Sequence, residues 1–247
     1  MKRQSSPIIV LRRWPYSESS LAIRVLTPAH GTLSMLAKGA YKPKSGMMGV
    51  LDTWVLAEVE FGSPEGAEMQ SLYQARLIDR MSGISLQPDR LAAAGVLAEL
   101  AELAAPPGQE STSTFLFLLH QLQALAGKQA LAPLMCGALL QVLDLLGLSP
   151  RLLPDLPSDD MLWFDFENGG VLEADSKRPS GHAILTSKAA LSLLQSFRED
   201  PKATIRAKDE EFEEALTILG QFLHFHLERP PRAWNALRKY SQPLNRQ

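Results

Sequence analysis

Between residues 7 and 80 the apolar positions recur with the short, turn-bounded spacing of β-strands. Ile8 to Arg12 is a β-rich run, Leu21 to Leu26 alternates behind a serine-rich turn, and Thr32 to Ala37 follows the turn Pro28-Ala29-His30-Gly31. Trp54 to Phe61 carries Val55, Leu56, Val59 and Phe61 and stops at Gly62-Ser63-Pro64, and Met69 to Ile78 is a fifth candidate. Five short strands parted by Gly, Pro and Ser turns predict a small Greek-key barrel. The OB-fold is the commonest of that size, and an SH3-like barrel fits the strand count nearly as well.

From Pro88 onward the period becomes helical. Leu91, Ala94, Gly95, Ala98 and Glu102 lie along one path whose small residues allow close packing. Ser111-Thr112-Ser113-Thr114 is an N-cap cluster for a helix over Phe115 to Ala126. Leu131, Leu134, Met135, Ala138, Val142 and Leu145 form an apolar stripe ending at Gly147. Thr186 opens a further helix through Leu191, Leu194 and Phe197; Phe212, Ala215, Leu216, Leu219, Phe222 and Leu223 mark a long amphipathic one. Pro230-Pro231 precedes a short basic tail helix with Arg232, Arg238 and Lys239. Leu152 to Gly181 reads as irregular, with one strand-like stretch, Leu162 to Phe166, and a Gly169-Gly170 turn. The expected fold class is α+β: a five-stranded OB-fold β-barrel over 1–80, then an all-helical domain over 81–247 with a small irregular insertion at 152–185.

Composition places the chain among globular proteins, with 45% hydrophobic and 21% charged residues. A single cysteine, Cys136, rules out an internal disulfide and a cysteine-based zinc site. The apolar run Pro7 to Leu11 is too short for a signal peptide, and Leu131 to Leu140 is about half a membrane span, so the expectation is a cytoplasmic protein that does not enter membranes. The net charge of −2 hides an asymmetry. Lys2, Arg3, Arg12, Arg13, Arg24, Lys38, Lys42 and Lys44 face a single acid, Glu18, in the first 50 residues, which sum to +7 while the rest sums to −9. A cationic segment of this kind points to a phosphate-bearing partner.

The densest chemical signal is Ala37-Lys38-Gly39-Ala40-Tyr41-Lys42-Pro43-Lys44-Ser45-Gly46. Lysines with a ring between them, on a Gly/Pro frame, are what single-strand binding requires: cations for the backbone and a π-face for bases. Arg12, Arg13, Trp14 and Tyr16 repeat the mixture, and Arg24 adds a charge on the second strand. The plainer reading is a solvated basic surface with Trp14 and Tyr16 in the core. The pattern G-x-x-x-x-G-K-S/T is absent, so nucleotide hydrolysis is not indicated. Ser17, Ser19 and Ser20 have no G-x-S-x-G context. His224 and His226 stand two apart and point to different sides of a helix, which makes a poor metal pair. Glu210, Glu211, Glu213 and Glu214 read as a solvated helix face, and Cys136 as a small buried hydrophobe. No cofactor motif is present.

Arg13-Trp14-Pro15-Tyr16-Ser17-Glu18-Ser19-Ser20, Leu26-Thr27-Pro28-Ala29-His30-Gly31 and Ala37 to Ser45 stand in an order and spacing that resembles the bacterial recombination-mediator family RecO. Leu145-Leu146-Gly147-Leu148-Ser149-Pro150 and Phe166-Glu167-Asn168-Gly169-Gly170 match weaker landmarks of that family. The resemblance implies binding of single- and double-stranded DNA and annealing of complementary strands. It also implies help in loading RecA onto strands coated by single-strand-binding protein (SSB), together with RecR. By the same resemblance Lys38, Lys42 and Lys44 fall on the basic loop and Arg13 on the first-strand motif. Many members carry a four-cysteine zinc module where this chain has Pro154 to Gly181. No cysteine stands there, and Asp155, Asp159, Asp160, Asp175 and His182 are a poor substitute, so the segment reads as a metal-free remnant held by Trp163, Phe164 and Phe166.

The expected nucleic-acid face is therefore Arg12, Arg13, Tyr16, Arg24, Lys38, Tyr41, Lys42 and Lys44, with Tyr41 the first choice for base stacking. For the acidic C-terminal tail of SSB the candidate is Arg229, Arg232, Arg238 and Lys239, beside an apolar groove. The expected protein is a nucleoid-associated DNA-repair and recombination factor and not an enzyme. The competing class is a non-catalytic adaptor whose barrel binds RNA or an acidic protein, with a nuclease third. The reading requires the N-terminal cations to gather on one side and to escape pairing with acids from the helical part.

Overall fold

A computed structural model describes residues 3–43, 45–62, 68–173 and 178–241. Its compact units are Met1–Gly127 and Lys128–Gln247.

In the first unit, β1 (Gln4–Pro15), β2 (Leu21–Thr27), β3 (Gly31–Ala37), β4 (Leu56–Gly62) and β5 (Gln70–Asp79) close a barrel in the order β1-β2-β3-β5-β4. All neighbours are antiparallel except β3 and β5, which run parallel. This is OB-fold topology and settles the choice against an SH3-like barrel. Ile8, Val10, Ile23, Val25, Met35, Val59 and Phe61 fill the interior. β1 runs longer than its apolar run suggests because it pairs with β4 along its first half and β2 along its second. The register shifts between Val10 and Arg12, so Leu11 is an extra, bulged residue, and Arg12 comes to stand directly opposite Arg24.

The helices α1 (Pro88–Leu103) and α2 (Thr112–Ala126) pack into the same compact unit as the barrel. The physical reason is a set of backbone hydrogen bonds from the β2–β3 turn to the α1–α2 connection. Thr32 N–H donates to Ala105 O at 3.1 Å, Gly108 N–H to His30 O at 2.9 Å, and Ser111 N–H to Pro28 O at 2.7 Å. Gly31 sits at φ +61 with the Pro106 carbonyl against its Cα, where any Cβ would collide. The alanines and Val96, Leu97 and Leu100 bury α1 on almost every side.

In the second unit are α3 (Leu131–Leu145), α4 (Lys188–Glu199), α5 (Asp209–His226) and α6 (Trp234–Ser241). The segment expected to be irregular is instead a three-stranded antiparallel sheet, ordered β7-β6-β8, from β6 (Met161–Asp165), β7 (Gly170–Val171) and β8 (Ala183–Ser187). Its alternation is too short to separate from loop: Leu162 and Phe164 are buried while Trp163, between them, is 42% exposed. Phe164 and Phe166 pack on Phe222 of α5, with Phe164 edge-on at 5.9 Å, so Trp163 does not share in holding the segment. Glu214 is half-buried and engaged by the neighbouring strand end. Its carboxylate accepts from Thr186 Oγ1, Ser187 N and Ser187 Oγ, fixing the strand-to-helix corner where Ser187 caps α4. Cys136 is fully buried, and burial pushes its thiol pKa up.

Candidate nucleic-acid interface

Two loops at one end of the barrel meet. The β1–β2 hairpin loop is tightened by Tyr16 N–H donating to Ser20 O at 3.0 Å and Ser20 N–H to Ser17 O at 3.3 Å. The loop after β3 winds through Lys42 N–H to Gly39 O at 3.0 Å and Ser45 N–H to Lys42 O at 2.9 Å, with Gly39 at φ +71. Tyr41 N–H donating to Ser19 O at 3.1 Å stitches the loops together. Between them lies an open groove of about 620 Å³ lined by Tyr16, Ser17, Ser20, Leu36, Lys38 and Lys42 among others.

The structure divides the expected face. Tyr16 is 57% exposed and Trp14 40%, so neither is in the core. Tyr41 does not line the groove. It is half-buried against the barrel core beside fully buried Ala40, and its ring is committed to packing. The groove's aromatic is Tyr16.

The cations divide in the same way. Arg12 and Arg24 both bind Glu102 of α1, with Arg12 Nη2 2.7 Å from Oε2 and Arg24 Nε 2.9 Å from Oε1. Arg13 Nε stands 3.4 Å from Asp52 Oδ1, and Arg3 Nη1 is 3.9 Å from Glu60. Two arginines are thus tied to an acid from the helical part, against the expectation for a free face. No carboxylate of the described residues pairs with Lys38 or Lys42, which project exposed at the groove. Lys44 and Lys2 lie outside the described residues. Two unpaired ammonium groups and an exposed phenol ring at one groove can hold a phosphate on each cation and stack a flat base. Glu102 was visible in the sequence, but its partners lie 78 and 90 residues away and no local signal joins them.

On the second unit, a smaller groove of about 350 Å³ lies between α5 and α6, lined by Leu216, Gly220, His224, Trp234, Leu237 and Arg238 among others. Trp234 packs on Gly220, where a Cβ would overlap the indole. Of the four expected partner-binding residues only Arg238 lines this groove; Arg229, Arg232 and Lys239 are exposed near it in sequence, with Lys239 over the Tyr240 ring at 5.6 Å. His224 Nδ1 is bonded to Gly220 O at 2.8 Å, and His226 lies against Phe222 at 4.2 Å, where burial lowers its pKa despite a hydrogen bond with the Phe166 backbone.

The zinc module that the resemblance brings in does not fit this chain. Its segment has no cysteine, and its buried carboxylate, Asp165, already accepts from Glu167 N, Asn168 N, Asn168 Nδ2, Ser180 N and Ser180 Oγ. Among the described residues no three histidine, cysteine, aspartate or glutamate side chains gather as a ligand set; Asp175 lies outside them. No helix of the described residues is long and apolar enough to cross a membrane.

A closed 1-2-3-5-4 barrel with a groove between its loops, followed by a helical unit with a small sheet, defines an OB-fold protein of two compact parts. The family model for the N-terminal part of recombination protein O matches residues 1–81, and that for its C-terminal part matches residues 85–235. The chain belongs to the RecO family. Similar proteins include three named DNA repair protein RecO. That of Pelotomaculum thermopropionicum is 26% identical over 98% of this chain and 96% of its own length. That of Desulforudis audaxviator is 28% identical over 97% and 98%. That of Moorella thermoacetica is 31% identical over 91% and 86%.

Proposed function

We propose that the protein is a DNA-binding recombination mediator. It anneals complementary single strands and helps load RecA onto SSB-coated DNA in recombinational repair, with RecR as a partner and the nucleoid as its place of work. Membership of a family whose relatives are named DNA repair proteins supports this reading. The single observation that carries it is the groove in which Tyr16, Lys38 and Lys42 converge without a carboxylate partner among the described residues. The lysines neutralise phosphates and Tyr16 stacks on a base. Neutralising two complementary strands lowers their repulsion, and duplex formation supplies the free energy, so no nucleotide is consumed. The acidic tail of SSB docks at the α5–α6 groove, its carboxylates toward Arg238 and its apolar side chains toward Trp234 and Leu237.

Complementary labelled oligonucleotides mixed with the protein, without nucleotide or metal, test this. Renaturation faster than the spontaneous rate is the expected result. No acceleration, with binding of RNA or an acidic protein instead, establishes the adaptor, and shortening of the strands establishes a nuclease.

A further inference from the structure

The Arg12–Glu102–Arg24 cluster has the architecture of a phosphate site. Arg12 and Arg24 are direct cross-strand partners, and like charges in that position repel. Arg24 is fixed independently of any acid, since Nη1 donates to Ser34 Oγ at 3.2 Å and Nη2 to Thr32 Oγ1 at 2.8 Å. The two guanidinium groups thus face one point with their donors aligned, and the Glu102 carboxylate sits there, Oε1 taking Arg12 at 2.8 Å and Arg24 at 2.9 Å. Two arginines around one planar anion bind phosphate oxygens equally well. Glu102 supplies one negative charge against two positive ones. It also lies in the last turn of α1, where the helix dipole disfavours an acid.

Strand register places this cluster on the same outer face as the groove. Arg12, Arg24 and Ser34 form one cross-strand row. Two residues along each strand, Trp14, Ala22 and Leu36 form the next row on that face, and Leu36 itself lines the groove. Trp14, 40% exposed, stands between the two sites. From Arg12 to Tyr16 is about 13 Å at strand rise, within the span of a few nucleotides on one OB-fold.

We propose that Arg12 and Arg24 are a second phosphate seat continuing the groove, that Glu102 occupies it in the free protein, and that a bound single strand displaces Glu102. Rotation of the Glu102 side chain suffices; its backbone carbonyl keeps its bond from Ala105 N–H. Glu102 then makes the barrel selective, because only a ligand presenting a continuous row of phosphates offsets the breaking of both carboxylate–guanidinium pairs. The proposal rests on the strand-binding function above.

The test is titration of a fluorescent 20-nucleotide dT oligomer over a range of salt concentrations, on the full chain. Glu102→Gln is expected to tighten binding severalfold at low salt with the log affinity–log salt slope nearly unchanged, because the same phosphates are neutralised once the seat is filled. Arg12→Gln, at an exposed side chain that leaves Glu102 its Arg24 partner, is expected to weaken binding severalfold and flatten the slope by about 0.7, the value for one neutralised phosphate. Wild-type binding with both variants unchanged overturns the proposal and leaves the groove intact as the binding site. Failure of the wild-type protein to bind the oligomer at all overturns the function itself.

Discussion

Asp165 holds Ser180 twice, accepting from its backbone N–H and from its hydroxyl, both at 2.8 Å, across fifteen residues of chain. The same carboxylate takes three donors from Glu167 and Asn168, so one buried anion closes the β6–β7 turn onto the approach to β8. Burial by itself would raise its pKa. The hydrogen bonds from Ser180 and Asn168 outweigh it and pull the value from 3.8 to about 2.

Asp165→Ala is expected to destabilise the protein by about 3 kcal/mol, since it removes the shared acceptor of five part-buried donors at once. Because the folded pKa lies below the unfolded one, the stabilisation is present above about pH 4 and fades as pH falls toward 2. Thermal melts from pH 5 to pH 2.5 should show wild type losing its advantage over Asp165→Asn. Parallel pH curves for the two would refute the assignment.

Lys38→Ala/Lys42→Ala should weaken single-strand binding and reduce the magnitude of the salt slope by about 1.4, at about 0.7 for each phosphate left without its cation. Fluorescence anisotropy at four salt concentrations measures it. An unaltered slope would show that these ammonium groups meet no phosphate.

The two tyrosines of the N-terminal loops should separate cleanly. Tyr16→Ala is expected to cost about 1–2 kcal/mol of binding through the absence of stacking, with the melting temperature nearly unchanged, because the ring is exposed. Tyr41→Ala should lower the melting temperature and affect affinity less, because that ring packs on the barrel core. Reversed results would return the stacking role to Tyr41.

Arg238→Glu places a carboxylate at the α5–α6 groove and should abolish binding of a synthetic SSB C-terminal peptide by isothermal titration calorimetry, while oligonucleotide binding on the barrel persists. Undiminished peptide affinity would move the partner site elsewhere.

The barrel was legible from residue order because its information is local. Turns at Pro28–Gly31 and Gly62, and alternation in between, set strand number and length, and five strands of that length have few ways to close. The cationic bias of the first 50 residues and the loop from Lys38 to Lys42 were equally plain. Which side chains remain available was not legible, because it depends on partners far along the chain. Glu102 reaches back to Arg12 and Arg24, a one-residue bulge at Leu11 aligns those arginines, and Tyr41 turns inward while Tyr16 stays out. Sequence determines strands, turns and net charge through short-range sterics and composition. Only tertiary structure decides which charges are neutralised and which rings are covered, since both depend on segments that the chain separates and the fold unites.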